Sequence, residues 1–489
     1  MVIMKTYSET LNTPIIGDYD VIVAGGGSAG FAAALNSARN NAKTLLIEKE
    51  YVIGGIMTAG LMAKIAAEPF MTGIPTEFLM RLGKEKMAIP YEEFPAPWHP
   101  SEMVEIPVNS EACKLLAEEM LCEAGAEILY GTSVVGTVNE DKAVTGVIVE
   151  NKSGRSVIQA KIFIDATGDG DLCARAGAQF EFGKDGNGKC SASNMLSRIG
   201  GVNLAKVIDY VEAHPKELNK KNRRGLVDGW LTPQILREYM LSDKPQFASI
   251  GRFDETVEKI MADPSVSEWE KNTLKLRNGI GFMNTPTAGE VLVNTGRIGI
   301  NGLNAAEISR AIIECRRQNW CIFRFAKKYI PGFENAHLVE TSSILGIRET
   351  RRIVCDYMHT VEDFHNRIRF DDAILRSDDS IEYHNPDGAG VHFELYDKGE
   401  YEEISYRSIL VKGFENLMAI GRCWSADQFT LSANRNIGFC MSMGQSAGMA
   451  AAMAIKNKVQ LRGIDINTLQ KEVYPLKGKE HTHLIKKSI

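Results

Sequence analysis

Residues 20–48 read DVIVAGGGSAGFAAALNSARNNAKTLLIE, and the fold is decided there. Val21, Ile22, Val23 and Ala24 form an unbroken apolar run, the pattern of a strand buried on both faces of a parallel sheet. Gly25, Gly27 and Gly30 follow as G-x-G-x-x-G. The first glycine allows a tight turn out of the strand. The second lets a pyrophosphate come close to the backbone, and the third lets the new helix pack on the sheet. That helix is expected from Ser28 to about Asn40, with small residues at Ala29, Ala32, Ala33 and Ala34. Its first-turn N–H groups lack intrahelical acceptors and suit a phosphate. A second apolar strand, Leu45 to Ile47, ends at Glu48, where an acid can hold a ribose hydroxyl pair. A lone glycine motif says little, but this one lies between a strand and a helix and is followed by an acid at the expected distance. An acid at position 48 disfavours a 2′-phosphate and points to FAD or NAD rather than NADP.

The rest of the chain sets bounds. Its 489 residues have room for two or three domains. The net charge of −6 comes from mixed signs, so neither nucleic acid nor a membrane surface is expected as a partner. The nine cysteines form no C-x-x-C and no metal-ligand spacing, so no metal is expected. An odd cysteine count behind an N-terminus without a long apolar core points to reduced thiols in a cytoplasmic protein.

Residues 1–19 read as an irregular lead-in. The loop Gly54-Gly55-Ile56-Met57-Thr58-Ala59-Gly60 has little side-chain bulk and can pass close to a flat cofactor or serve as a plain turn. Residues 66–108 are proline-rich and irregular, with Pro69, Pro75, Pro90, Pro95, Pro97, Pro100 and Pro107. Ser110 to Ala124 is an amphipathic helix with Leu115, Leu116 and Met120 on its apolar side. Strand-like runs follow at Glu127–Tyr130, Val134–Val138 and Val144–Glu150, then a Ser153-Gly154 turn into Val157–Ala160. Ile162 to Leu172 reads as a buried strand ending in Ala166-Thr167-Gly168 and an acidic glycine turn, Asp169-Gly170-Asp171. A second strand end with small residues, beside the first, lets a dinucleotide lie across both.

Six stretches together carry a family resemblance: VAGGGSAG at 23–30, IDATGDGDLCARAGA at 164–178, LGIRETRR at 345–352, EYHNPDG at 382–388, FENLMAIGRC at 414–423 and GFCMSMGQSAGMAAA at 438–452. In this combination and order the chain resembles flavoproteins with the glutathione-reductase type of FAD fold. More narrowly, it resembles bacterial FAD-dependent oxidoreductases related to fumarate-reductase and tricarballylate-dehydrogenase flavoproteins. The resemblance implies FAD along the first, second and last two stretches and supplies no common substrate. Taken with the residue reading, the expected cofactor contacts are Gly25, Gly27, Ser28, Ala29, Gly30, Glu48, Lys49, Gly54, Gly55, Thr58, Val134, Ala166, Thr167, Gly168, Gly421, Arg422 and Gly438.

The expected architecture is α/β: a Rossmann-like, three-layer FAD-binding domain interrupted by an α+β substrate or cap domain. The FAD domain is assigned to 14–190 and 400–460, the insertion to 191–399, and a C-terminal helix and tail to 461–489. Residues 200–280 show helical patterns such as Gln234–Met240 and Glu255–Met261, and their charged faces suit a cap better than a sheet core. Val291–Asn294 reads as a strand, and Ala305–Tyr329 as one long helix ended by Pro331-Gly332. Leu417–Ile420 is another buried strand. From about Phe439 to Asn457 a helix carries Gly444, Ala447, Gly448, Ala450, Ala451 and Ala452. Its small face suits either a flavin or a closely packed neighbouring backbone, and its N-terminal dipole could stabilise charge on reduced flavin.

Candidate catalytic residues are Arg348, Arg351, His384 and Arg435. If 345–352 is helical, Arg348 shares a face with Arg351 and with Arg352. Such a cluster suits a substrate carboxylate or phosphate, or salt bridges to Glu349, Asp356 and other acids. His384 is read as a loop residue fixed by Pro386 and Gly388; the resemblance implies that it faces the substrate. Arg435 precedes the small-residue helix, and the resemblance places an Arg at this point. It suits reduced flavin or a substrate carboxylate, or ties two domains together through backbone carbonyls. There is no second G-x-G-x-x-G unit for NAD(P)H and no redox cysteine pair. The expected reaction is hydride transfer between flavin N5 and a small polar, anionic substrate, with an unassigned electron partner and with homo-oligomerisation left open. A monooxygenase, an RNA-modifying flavoprotein and a non-catalytic flavin scaffold are the alternatives.

Overall fold

The structure, a computed structural model, describes residues 6–67, 71–88, 104–183, 188, 190–218, 232–242, 248–276, 279–386, 390–397 and 400–473. Pro69, Pro90, Pro95, Pro97, Pro100, Gly388 and the tail after Val473 lie outside the described residues.

The strand Ile15–Ala24 sits in the middle of a seven-stranded sheet. On one side it pairs in parallel with Thr44–Ile47, which pairs in turn with Glu127–Leu129. On the other side it pairs in parallel with Gly154–Asp165, aligning Ala24 with Asp165. Layers packed on the two sides of the sheet bury both faces of this strand, which is why residues 21–24 need no polar alternation. Val21 and Val23 face a helical layer, and Ile22 and Ala24 face the opposite layer. The strand Gly154–Asp165 was expected as two runs but is continuous. Its first half pairs antiparallel with Ala143–Asn151, and its end pairs in parallel with Leu417–Ala419. One strand therefore serves both a meander and the central sheet. The chain returns to the first sheet some 250 residues after leaving it.

The helical layer pairs Ser28–Arg39 with Ile437–Asn457. A Cβ on Gly444 would lie 2.0 Å from the Ala29 carbonyl oxygen, and one on Gly448 would lie 2.3 Å from that of Ala33. Those two glycines serve helix–helix approach, the packing alternative read from the sequence. Asn36 Nδ2 adds a 2.7 Å bond to the Gln445 carbonyl. Beside them lies Ser110–Glu123, capped by Asn109, whose side chain accepts from the amides of Glu111 and Ala112. Its buried side is Cys113, Ala117, Met120 and Leu121, whereas Leu115 is exposed. The opposite layer is the meander Ser133–Glu140 and Ala143–Asn151 with the short helix Asp171–Ala176.

Between the two contributions to this sheet lies a second, antiparallel sheet. Its strands run in the order Ser249–Arg252, Ile280–Asn284, Val291–Ile298, Ser193–Gly200 and His337–Thr341. Ala305–Tyr329, capped by Asn304, packs along it through Cys315, Cys321 and Ile322 among others. The segment 200–280 is mostly helical, as read, but it also supplies the edge strand Ser249–Arg252. The pattern Ser193-Asn194-Met195-Leu196-Ser197-Arg198 hid the partner strand, because Ser193, Asn194 and Ser197 are polar yet buried, Asn194 bonding to Asn294 within the domain.

Among the described residues no helix is long and apolar enough to cross a membrane, and no group of three or more His, Cys, Asp or Glu could hold a metal ion. All nine cysteines are free thiols, and only Cys122 is exposed.

Candidate functional site

The glycine turn divides its three glycines into two jobs. Gly25 has φ +99°, donates to the Ile47 carbonyl at 2.8 Å, and would place a Cβ 2.4 Å from the Ala166 carbonyl oxygen. A Cβ on Gly30 would lie 1.8 Å from the Gly25 carbonyl oxygen. These two are glycine because backbone lies against them. Gly27 differs: its φ of −66° and ψ of −176° suit any residue, and a Cβ there meets nothing within 4 Å. The helix that starts at Ser28 has no side-chain cap, so the amides of Ser28, Ala29 and Gly30 open onto the same space.

Glu48 closes one side of this turn. Its Oε2 accepts from the Gly26 amide at 2.5 Å and its Oε1 from the Glu50 amide at 2.8 Å. Burial raises its pKa, and the two amide bonds oppose that rise. Each oxygen retains a further lone pair. Gly54 donates to the Gly26 carbonyl at 2.8 Å, and a Cβ on Gly55 would lie 3.2 Å from the Gly27 Cα, so the second glycine loop abuts the first. The Thr58 hydroxyl turns inward and donates to the Ile53 carbonyl at 2.6 Å. Val134 is a core residue of the layer opposite the helices, packed with Leu45 and Ile47. Lys49 is exposed, and its charge bears on Asp169.

The second strand end lies alongside, since the Ala166 amide donates to the Ala24 carbonyl at 2.8 Å. Asp165 is fully buried and shapes the turn from within. It accepts from the Thr167 amide at 3.0 Å, the Thr167 hydroxyl at 2.7 Å and the Cys173 amide at 2.8 Å. Burial raises its pKa against those bonds. Asp169 accepts from Arg422 Nη2 at 2.9 Å and from the Thr350 hydroxyl at 2.8 Å. Burial pushes its pKa up, but Arg422, Lys49 and Thr350 outweigh that and hold it below the usual range. Gly168 and Gly421 both have positive φ; a Cβ on the first would lie 2.9 Å from Arg422 Nη2, and on the second 2.9 Å from the Ala29 Cβ. Gly438 serves packing, since a Cβ there would lie 2.3 Å from the Ala66 carbonyl oxygen. Asp165, Asp169 and Thr350 escaped the sequence reading, which took Asp169 only as part of an acidic turn.

Three features fit a dinucleotide here. Gly27 borders open space, the helix start is uncapped, and Arg422 Nη1 is buried with no hydrogen-bond partner. A pyrophosphate would engage the amides, and an anionic oxygen would satisfy the guanidinium.

The four candidate catalytic residues separate. Residues 345–350 are not helical, and Arg351–Ile353 is a short strand paired with Phe180–Phe182. The shared helical face of Arg348, Arg351 and Arg352 therefore does not exist. Arg351 donates to the Asp169 carbonyl at 2.9 Å and to Asp171 Oδ1 at 3.0 Å, and it stacks over Phe180. Arg352 points the other way, to Glu181 at 3.1 Å and the Gly183 carbonyl at 3.1 Å. The local sequence alternates in and out as a strand does, which a helical reading cannot anticipate. Arg348 is buried and donates to the Ala192 carbonyl.

His384 is not a loop residue but the last residue of the strand Ile381–His384, paired with Val391–Glu394. It is 3 % exposed, with Nε2 3.3 Å from Glu382 Oε1. Burial first, then the positive charges of Arg348 and Arg435, push its pKa down to about 2 against the pull of Glu382. Arg348, His384 and Arg435 are thus electrostatic neighbours, and Arg351 stands apart. Arg435 is partly buried and sits 3.4 Å from the Glu382 carbonyl oxygen, a weak bond of the domain-tying kind. Burial lowers its pKa, opposed by Glu382, Asp379 and Glu349. On either side, Asn434 Nδ2 donates to Glu402 and Asn436 Nδ2 to Asp379, so two acids grip the turn before the small-residue helix. Glu349 is buried nearby and accepts from Gln428 Nε2 at 2.6 Å and Ser191 Oγ at 3.2 Å. The sequence offers Glu349 only as a salt-bridge partner for the arginines and gives Glu382 and Asn434 no role of their own; their nearness to Arg435 in space marks all three.

Among proteins of known function, the chain is similar to thiamine thiazole synthase of Pyrococcus abyssi, 28% identical over 184 residues, which cover 36% of this chain and 66% of that protein. The same enzyme of Methanothermobacter thermautotrophicus is 30% identical over 161 residues, covering 31% and 56%. The chain thus spans less than two thirds of the length of the curated relatives it matches. Among solved structures it is similar to a geranylgeranyl bacteriochlorophyll reductase-like protein of Thermoplasma acidophilum, at 15% identity and a TM-score of 0.45 over 97% of this chain and 96% of that one. It is also similar to p-nitrophenol 4-monooxygenase of Pseudomonas putida, at 11% identity and a TM-score of 0.45 over 91% and 83%. The family described as FAD dependent oxidoreductase matches residues 20–473, from the first buried strand to the last described helix. The chain belongs to that family: it is an FAD-dependent oxidoreductase, an enzyme whose cofactor is FAD.

Proposed function

We propose that this enzyme exchanges a hydride between its flavin and a small substrate bearing a carboxylate. The observation that carries the reading is one buried imidazole, His384, with two cations near enough to depress its pKa: Arg348, and Arg435, which bonds to the Glu382 carbonyl two residues away. The three come from separate parts of the chain. Two cations beside an imidazole held neutral favour an anion, and a planar guanidinium matches a carboxylate bidentately.

FAD would be held by the open turn at Gly27, the amides of Ser28 to Gly30, Glu48 at the ribose, the Gly54–Gly55 loop, Ala166 to Gly168, and Gly421 with Arg422. When bound, it supplies a two-electron hydride acceptor or donor. The protein's own part is binding and orientation. Arg348 and Arg435 seat the carboxylate, His384 offers an uncharged hydrogen-bonding edge, and burial keeps water from competing for those groups. Glu349 and Gln428 brace the segment carrying Arg348.

The test is anaerobic stopped-flow bleaching of bound flavin across hydroxy acids, enoates, amines and polyols. Carboxylates able to give up a hydride should bleach it, and enoates should restore the colour of reduced flavin. Arg348→Met should weaken their binding by the ~1.5–3 kcal/mol of a charge-assisted hydrogen bond without lowering flavin content. If only neutral or cationic compounds bleach the flavin, or if NAD(P)H and no carboxylate bleaches it and turnover in air consumes oxygen and NAD(P)H together, the reading is wrong.

A further inference from the structure

Resting on that reading, we infer that Glu382 and His384 form a carboxylate–imidazole dyad whose Nδ1 takes the hydroxyl proton of a 2-hydroxy acid as the C2 hydride leaves for the flavin. The first ground is register. Glu382 and His384 are two residues apart on one strand, so both side chains stand on the same face. Tyr383, between them, turns to the other face and meets the Phe429 ring at 5.0 Å. The second ground is the contact itself. Glu382 Oε1 lies 3.3 Å from His384 Nε2. A carboxylate accepts only, so Nε2 carries the proton and Nδ1 carries the lone pair. The third ground is that Nδ1 is buried and has no hydrogen-bond partner. A buried acceptor left open within a protein is a place where a donor is missing.

The substrate class follows from what each alternative would need. A 2-amino acid brings an ammonium group to a site that already holds two guanidiniums. Reduction of an enoate needs a proton donor, and Nδ1 in this tautomer has no proton to give. A hydroxyl is neutral, donates one hydrogen bond, and fits the open acceptor. In the step, the C2–H bond breaks and its electron pair leaves as hydride to the flavin. The O–H bond breaks and its proton goes to Nδ1, and the oxygen pair forms the C=O bond of a 2-oxo acid. The acid loses two electrons and the flavin gains them. The imidazolium formed keeps its Nε2–H on Glu382. In the empty site Arg348, Arg435 and burial weaken the imidazole as a base, while Glu382 strengthens it. A substrate carboxylate between the guanidiniums offsets both cations, so the base strengthens when its substrate arrives. Glu382 acts through His384 and is a positioning residue.

The test uses the FAD-loaded enzyme with glycolate, lactate and malate, set against acetate, propionate and succinate. Nitrogen-15 NMR of labelled histidine should show one ring with Nε2 protonated and Nδ1 bare, absent in His384→Gln. Calorimetry should show both sets binding. Only the hydroxy acids should bleach flavin without oxygen. His384→Gln should slow bleaching by ~10²-fold or more with binding changed little, as for loss of a general base. Glu382→Gln should shift the tautomer signal and slow bleaching less, and Glu382→Asp should restore part of both. A proton on Nδ1 in the wild type, equal bleaching by the deoxy acids, or an unaffected His384→Gln would overturn the dyad and leave the carboxylate reading standing. If no carboxylate binds or bleaches, that reading falls, and the dyad with it.

Discussion

Replacing Gly27 by valine separates cofactor binding from folding. The new side chain meets no protein atom within 4 Å, and the local φ and ψ are open to any residue. What it does meet is the space where the pyrophosphate is proposed to lie. The apoprotein should therefore lose about 1 kcal/mol or less, the difference between glycine and a poorer helix N-cap. FAD should lose two or so amide-to-phosphate bonds at ~1.5–3 kcal/mol each, which makes ~3–6 kcal/mol in total. That corresponds to a ~10²–10⁴-fold weaker affinity. Gly30→Ala is the contrast, since its Cβ would lie 1.8 Å from the Gly25 carbonyl oxygen and the backbone must move. It should destabilise even the apoprotein, by ~1–3 kcal/mol as overpacking does. The assays are the flavin-to-protein ratio after purification, FAD titration followed by fluorescence, and thermal unfolding of both apoproteins. Full flavin occupancy in Gly27→Val, or an apoprotein as damaged as that of Gly30→Ala, would refute the reasoning.

Arg435→Gln removes a cation proposed to lie near the flavin, so the midpoint potential should fall by tens of millivolts, with ~30 mV matching ~1.4 kcal/mol for two electrons. An unchanged potential with a large loss of thermal stability would make Arg435 the domain tie that its contact with the Glu382 carbonyl resembles. Glu402 is buried beside Asn434, and burial raises its pKa to about 8. Between the ordinary carboxyl range and about 8 the folded protein keeps a proton that the unfolded chain releases, so stability falls as pH rises, at up to ~1.4 kcal/mol per pH unit. Glu402→Gln keeps a neutral acceptor for Asn434 and should flatten that dependence in unfolding curves taken from pH 5 to 8; equal slopes would refute it. Gly444→Val would drive a side chain against the Ala29 carbonyl, so denaturant unfolding should show a loss of ~1–3 kcal/mol or more. Wild-type stability there would mean that the two helices do not pack through Gly444.

The parts of this protein legible in its sequence are those that neighbouring residues decide. The steric needs of Gly25 and Gly30, the two-sided burial of Val21 to Ala24, and the cap and period of Ala305–Tyr329 are all written within a few residues of the positions concerned. Local geometry has only a few solutions, and each leaves its own residue pattern. What the tertiary structure decided is who meets whom. Arg348 and Arg351 are three residues apart, yet one is buried against the Ala192 carbonyl and the other reaches Asp169 and Asp171, because the segment is a loop running into a strand and not a helix. Asp169 became a junction because Arg422 and Thr350 arrive from chain far downstream. Glu382, Glu402 and Asp379 hold the turn at 434–436 for the same reason. Such encounters depend on strand register and on how two sheets are joined, and a buried charge finds its partner only when both are set, so no short stretch of sequence contains them.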